Sequence, residues 1–189
     1  MCIRDSLLPD QKPRLSYGVA VTDFDKDGLD EFIVTGFGHE NLALGFDGKS
    51  LKNKIKENIF SDLNRSTIGV AACDIDKDGH EEIYFLNTDT YSGQKMYSDR
   101  LLNIENKNIV DLFEKDINQD ELNLTAGRSV VCVDREGKGN YGVYVANYGG
   151  PTRFYEHIED RVVDLAESLN LDEVTGGRAE VCLLYTSDA

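Results

Sequence analysis

The sequence predicts an all-β fold, a partial β-propeller of about three four-stranded blades and the stub of a fourth, with short helical connections. Two observations carry this prediction. One segment recurs along the chain, with its first loop aspartate at Asp23, Asp74 and Asp134, which are 51 and 60 residues apart. Each copy also contains short runs of β-branched, aromatic and small residues separated by turn residues, which is typical of strands.

The first two copies align without a gap. Tyr17 to Val34 reads Y-G-V-A-V-T-D-F-D-K-D-G-L-D-E-F-I-V, and Ile68 to Phe85 reads I-G-V-A-A-C-D-I-D-K-D-G-H-E-E-I-Y-F. The third copy runs from Ala126 to Val145, and the triplet 177–179 repeats the start of a fourth. We therefore divide residues 7–181 into blade 1 (about 16–65), blade 2 (about 66–123), blade 3 (about 124–175) and a stub (176–181).

Each copy predicts four strands in the same order. A small, aliphatic strand is followed by an acidic loop and a second strand at 32–34, 83–86 and 143–145. A hairpin then follows at 41–46, 100–104 and 152–157, with turns at Asp47-Gly48, near Asn106 and near Glu159. The apolar spacing over 162–171 predicts a short helix between blades.

Both ends of the chain are set apart from the fold. Residues 1–6 (M-C-I-R-D-S) and 182–187 (C-L-L-Y-T-S) can be back-translated into DNA strings that contain reverse complements of each other. We interpret 1–6 and 182–189 as translated sequencing adapter and exclude them from fold reasoning. Two cysteines then remain, Cys73 and Cys132, without the C-x-x-C spacing of a zinc site. Their pairing stays open at this stage.

The charge of the chain restricts its partners. Its 189 residues include 35 acidic and 20 basic residues, which gives a net charge of -15 and a pI near 4.5. Such a chain is repelled by nucleic acid and by anionic membranes. No apolar run approaches the roughly 20 residues that a membrane-spanning helix needs. We therefore expect no nucleic-acid partner and no membrane insertion.

The acidic loops predict two calcium sites. Carboxylates stand at positions 1, 3, 5 and 9 of each loop, with glycine at position 6, which permits a sharp turn that brings the position-7 carbonyl inward. Hard oxygen ligands in this number favour calcium over magnesium. The predicted ligands are Asp23, Asp25, Asp27, Leu29 (carbonyl) and Glu31 in the first loop, and Asp74, Asp76, Asp78, His80 (carbonyl) and Glu82 in the second.

The third loop, from Asp134 to Gly142, departs from this pattern. Lys138 replaces the carboxylate at position 5, and Gly142 replaces the acid at position 9. We therefore expect it to be free of metal, with the Lys138 ammonium near the place that calcium takes in the other loops. An EF-hand is excluded for the first two loops, because position 12 holds Val34 or Phe85 and the flanks have no helical period.

These loops and their flanking strands resemble the FG-GAP or VCBS repeats of integrin-type β-propellers. The resemblance covers about 16–181, and the segments Y-G-V-A-V-T-D and A-G-R-S-V-V-C-V-D-R are more specific than the loop motif. It implies a secreted glycoprotein of the matrix or cell surface that holds structural calcium and binds an extracellular protein or glycan. The sequons at Asn64 and Asn123 are compatible with secretion.

The resemblance also implies that the chain is not an enzyme. No G-x-S-x-G or H-E-x-x-H motif occurs, and the phosphate-loop-like stretch 43–50 is better read as a hairpin turn. Since a fold does not fix a function, the alternative is a catalytic propeller that acts on glycans, with its active site outside this sequence.

Overall fold

The computed structural model describes residues 14–106 and 108–176 of the chain. The adapter interpretation of 1–6 and 182–189, and all of the fourth-blade stub but its first residue, lie outside this part. No helix within the described residues is long and apolar enough to cross a membrane.

The described chain folds into three antiparallel sheets that follow one another in sequence, each built from four consecutive strands. The first sheet contains β1 (Val19–Thr22), β2 (Glu31–Val34), β3 (Leu42–Phe46) and β4 (Leu51–Asn53). The second contains β5 (Thr67–Cys73), β6 (Glu82–Asn87), β7 (Arg100–Glu105) and β8 (Asn108–Asp111). The third contains β9 (Gly127–Val133), β10 (Gly142–Pro151), β11 (Arg153–Ile158) and β12 (Arg161–Asp164), and β13 (Val174–Gly176) pairs with the end of β10.

The sheets stack face to face as propeller blades do, and the predicted all-β propeller-like fold is confirmed. The first strands of neighbouring sheets lie side by side, β1 against β5 and β5 against β9. The middle sheet is covered on both faces, so all six residues of β6 are buried. Because both of its faces are covered, the four central residues of β6, 83–86, form a continuous apolar run rather than an alternating one.

Two hydrophobic layers join the three sheets. Phe60 and Phe85 meet edge to face, with ring centroids 5.3 Å apart, in the layer between the first and second sheets. Tyr84, Phe113 and Tyr155 pack in the layer between the second and third sheets. Each such fully buried side chain contributes roughly 1.5–3 kcal/mol relative to an exposed one.

A disulfide links the second and third sheets. It joins Cys73 at the end of β5 to Cys132 in β9, and the two Cα atoms are 6.2 Å apart. The pairing that the sequence left open is therefore a bond between blades rather than within one. It lies directly before two of the acidic loops, since Asp74 follows Cys73 and Asp134 lies two residues after Cys132.

Short helices connect the sheets, as expected, but not where the apolar spacing placed one. Helix α1 (Asn58–Ser61) precedes the second sheet, and two 3-10 helices, Leu112–Glu114 and Asp116–Glu121, precede the third. The predicted helix over 162–171 is wrong, because Val162 is fully buried in β12 and pairs with His157 of β11. Only the turns after β12 are helix-like, with Leu169 donating to the carbonyl of Leu165.

A buried polar network crosses the seam between the second and third sheets. The Asp99 carboxylate accepts hydrogen bonds from Lys95, from the Tyr84 hydroxyl at 2.7 Å and from the Asn123 amide at 2.6 Å. Asn123 also donates to the Asn147 side-chain oxygen at 3.0 Å and has no exposed surface. The Asn123 side chain is therefore part of the buried hydrogen-bond network, whereas Asn64 of the other sequon is exposed.

The first sheet has one face without a neighbouring sheet. This face, which we call the open face, consists of Val19, Val21, Phe32 and Phe46, and all four are exposed. By the 51-residue repeat, Val19 and Phe32 correspond to Val70 and Ile83, which pack against the first sheet. The open face thus has the composition of a blade interface, and the three described sheets do not close into a ring.

Candidate metal centres

The two predicted calcium loops connect the first and second strands of the first two sheets. The first spans the chain between Thr22 of β1 and Glu31 of β2, and the second spans the chain between Cys73 of β5 and Glu82 of β6. Because both loops join equivalent strands of neighbouring blades, they lie at the same end of the sheets. They also lie close together, since Lys26 of the first loop is 3.8 Å from the Asp78 carboxylate of the second.

The aspartates of each loop converge. One carboxylate oxygen from each of Asp23, Asp25 and Asp27 lies within 4.8 Å of the others, and the same holds for Asp74, Asp76 and Asp78. In the part of the chain that the structure describes, these are the two places where three such groups meet.

Backbone turns hold this convergence in place. The Asp23 carboxylate accepts from the N–H of Gly28 at 2.9 Å, and the Asp74 carboxylate accepts from the N–H of Gly79 at 3.0 Å. The two glycines have φ values of 89° and 87°, in the left-handed region that favours glycine. The position-6 glycine is therefore required in both loops, as the sequence predicts.

The two glutamates at position 9 are buried beside the converging aspartates and are only partly hydrogen-bonded. Glu31 and Glu82 are 0% and 1% exposed. One oxygen of each accepts a backbone N–H, from Phe24 at 3.2 Å and from Ile75 at 2.9 Å respectively. The other oxygen of each is buried and has no hydrogen-bond partner, and the same is true of one oxygen of Asp74.

Burial beside like charges raises the pKa of both glutamates. The pKa of Glu82 is raised to about 8, first by loss of solvation and then by Asp76, Asp78 and Asp74. The pKa of Glu31 is raised in the same direction, by loss of solvation and by Asp25. A divalent cation between these groups would remove the repulsion and satisfy the unpartnered oxygens. The residues present therefore fit calcium.

Leu29 and His80, the predicted carbonyl ligands, occupy position 7 of these turns. Their N–H groups donate to the Asp27 and Asp78 carboxylates at 2.9 and 2.8 Å. These bonds fix the peptide that follows glycine in each loop. Ligation by the two carbonyl oxygens stays a prediction.

The third loop keeps the backbone of the other two but differs in charge. Asp134 accepts from the N–H of Gly139 at 2.6 Å, the same five-residue step as in the first two loops. The Lys138 ammonium is 2.9 Å from the Glu136 carboxylate, so a protein cation lies against the position-3 carboxylate. Gly142 at position 9 supplies no buried carboxylate. The loop thus has the shape of a metal loop without its ligand set.

Two neighbours of the candidate metal loops come from parts of the chain distant in sequence, Lys54 directly after β4 and Asn103 in β7, and the local sequence pattern contains no signal for them. The Lys54 ammonium donates to the Asp27 carboxylate at 3.2 Å, and this hydrogen bond is the first cause that raises the Lys54 pKa. The Asn103 amide donates to the Asp76 carboxylate at 3.3 Å. Within its own blade, the first loop therefore contacts a charged side chain, Lys54, whereas the second loop contacts a neutral one, Asn103.

A groove lies at the opposite end of the sheets, around the starts of the first strands. It has a volume of about 700 Å³ and combines aromatic rings, hydroxyl groups and one guanidinium. The Arg128 guanidinium lies 5.4 Å from the ring centroids of both Tyr91 and Tyr148. The residues that line the groove are Tyr17, Phe37, Ser66, Ile68, Thr88, Asp89, Thr90, Tyr91 and Arg128.

The fold and the loops resemble those of one class of protein, the propeller built from FG-GAP-like repeats. Residues 23–85, which include both candidate metal loops, match the model of the FG-GAP-like repeat. The resemblance stated from the sequence is thus confirmed.

Within this class the chain is similar to cartilage acidic protein 1. It is 39% identical to the proteins of that name from Xenopus tropicalis and Homo sapiens, over 93% of the chain in each case. The identity to the protein from Mus musculus is also 39%, over 88% of the chain. These matches cover 32%, 31% and 29% of the relatives, so the chain spans about a third of their length.

Proposed function

We propose that this chain is a calcium-binding part of an extracellular β-propeller that serves as a scaffold for adhesion or matrix interactions, with calcium in a structural role. The observation that carries the proposal is the pair of buried glutamates, Glu31 and Glu82, each with an unpartnered oxygen beside three converging aspartates. Two independent loops with the same arrangement make a solvated acidic turn a poor explanation, because such a turn would leave its carboxylates exposed.

Calcium would act by joining each loop to the strand that follows it. The aspartates come from the loop, and the glutamate comes from the first residue of β2 or β6. Bound calcium neutralises neighbouring carboxylates, whose repulsion costs on the order of 1–4 kcal/mol for each close pair. If calcium binds only the folded chain, a free concentration of a hundred times the Kd adds about 2.7 kcal/mol per site to stability.

Three observations support an extracellular location. The disulfide between Cys73 and Cys132 suits an oxidising compartment. The sequon at Asn64 is exposed. The relatives are named as acidic proteins of cartilage, and this chain shares their acidic character, with a net charge of -15.

The expected partner is an extracellular protein or glycan, with no role for nucleic acid or membrane insertion. The groove beside Tyr91 and Arg128 is our proposed partner surface, because it combines exposed aromatic rings with hydroxyl and guanidinium groups. It lies away from the metal loops, which leaves calcium a structural role. The two carboxylate clusters are assigned to calcium, so we propose that the chain is not an enzyme.

Titration calorimetry of the chain, first freed of metal with a chelator, tests the calcium assignment. We expect two bound calcium ions, and Asp27→Ala and Asp78→Ala should each remove one. Glu136→Ala in the third loop is the matched control and should leave two. Three equivalent sites, or none, would contradict the proposal.

A further inference from the structure

We propose that Lys54 is a tethered cation that competes with calcium at the first loop, so that the two calcium sites differ in affinity and in their need for calcium. This inference rests on the proposed calcium function. It assigns a role to a residue outside both loops. The second site should fill first, and the first should fill only at higher calcium concentration.

The position of the Lys54 side chain supports this role. Its ammonium forms an ion pair with the Asp27 carboxylate at 3.2 Å, and about 29% of the side chain is exposed. Its backbone N–H donates to the carbonyl of Ala43 at 2.8 Å, which anchors the residue beside β3. The ammonium therefore reaches an oxygen of Asp27, a predicted calcium ligand, while the backbone of Lys54 is held beside β3 of the same sheet.

Gly45 of β3 makes room for this arrangement. A Cβ atom at Gly45 would lie 2.7 Å from Cε and 2.8 Å from Cγ of Lys54, and 3.2 Å from the unpartnered oxygen of Glu31. The aliphatic stem of Lys54 therefore lies over a residue without a side chain, close to the buried glutamate of the site. The ammonium approaches the same carboxylates that calcium would bridge.

The second loop has no equivalent cation at hydrogen-bond distance among the described residues. Its cross-strand neighbour is the neutral amide of Asn103, which donates to Asp76. Lys26 comes within 3.8 Å of Asp78, beyond hydrogen-bond distance, and reaches across from the neighbouring blade. The third loop is the opposite extreme, because Lys138 itself occupies position 5 and pairs with Glu136. Protein cations therefore compensate the negative charge of the loop carboxylates least in the second loop, more in the first and most in the third.

Two opposite effects follow from a tethered ammonium. Without calcium it neutralises part of the carboxylate repulsion and stabilises the first loop. With calcium it must leave Asp27 or remain beside a divalent ion, and both reduce affinity. For one positive charge about 4 Å from a divalent ion, at the dielectric of water and with screening by physiological salt, the reduction is about tenfold.

The test compares Lys54→Met with Lys52→Met in the full 189-residue chain carrying Asp78→Ala, so that only the first site binds. Lys52 is the matched control, because it lies two residues away and pairs with Asp47, outside the site. Calcium titration at pH 7.4 should give about tenfold tighter binding for Lys54→Met and no change for Lys52→Met. In chelator, Lys54→Met should lower the Tm. Lys54→Gln, which keeps a hydrogen-bond donor without the charge, should bind calcium as tightly as Lys54→Met.

The outcomes separate this inference from the function on which it rests. A lysine that only packs would lower the Tm in chelator and in calcium alike and leave the Kd unchanged, which would overturn the inference alone. Unchanged calcium affinity in both Lys54 variants would do the same. If the unmodified chain binds no calcium, the proposed function fails and the inference fails with it.

Discussion

Substitution of Glu82 by glutamine should have opposite effects on the free and the calcium-bound chain. In the free chain, Glu82 is a buried carboxylate whose pKa is raised to about 8 from an ordinary value of 4.5. Glutamine has nearly the same shape and carries no charge. Its side-chain oxygen can still accept from the N–H of Ile75. Glu82→Gln should therefore stabilise the free chain.

The magnitude and its pH dependence follow from the raised pKa. Between pH 4.5 and about 8 the folded chain holds a proton on Glu82 that the unfolded chain has released. Stability of the free chain therefore falls as the pH rises through this window. At pH 7.4 the loss is on the order of 4 kcal/mol, since one pH unit corresponds to about 1.4 kcal/mol. Glu82→Gln should remove this loss at pH 7.4 and change little at pH 4.5.

Urea unfolding in chelator and in calcium, at pH 4.5 and pH 7.4, measures these effects. The matched control is Glu81→Gln, because Glu81 carries the same charge one residue earlier but is exposed. With calcium at pH 7.4 the order should reverse, since Glu82→Gln loses a charged ligand. If Glu82→Gln destabilises the free chain at pH 7.4 by as much as at pH 4.5, Glu82 is an ordinary packed residue and the reasoning is refuted.

Three further predictions concern the blades and their seams. Replacing Cys73 and Cys132 by alanine should lower the unfolding free energy by about 4 kcal/mol, as expected for a bond that closes a 59-residue separation, and urea unfolding checks this. The chain should self-associate through its open face, and Phe32→Glu should reduce the association seen by sedimentation velocity; a monodisperse parent chain would contradict this. Asn123→Gln should lower the Tm by disturbing the buried network, whereas Asn64→Gln should leave it unchanged.

The sequence was most informative where the structure depends on local residues. Repetition of the acidic loop located the first two strands of each blade, and turn residues such as Asp47-Gly48 located the hairpins. The helix predicted over 162–171 failed because its apolar spacing suits either a helix or an edge strand followed by a turn. Tertiary packing decides between the two, since Val162 is buried between sheets.

Features that depend on contacts distant in sequence could not be predicted from one sequence. The bond between Cys73 and Cys132 depends on two first strands lying side by side, which no local pattern encodes. Lys54 reaches Asp27 across 27 residues, from the end of a hairpin whose sequence gives no sign of a metal site. The burial of Glu31 and Glu82 is likewise a property of the folded chain, although their position in the motif was read from the sequence.

The disulfide makes the two seams between blades unequal under mechanical load. Tension along the chain reaches a covalent bond at the seam between the second and third sheets, where Cys73 and Cys132 meet. Between the first and second sheets the described residues provide hydrophobic packing and ion pairs such as Arg100 with Asp62, but no such bond. Stretching should therefore separate the first blade from the second, while the second and third blades remain linked by the disulfide.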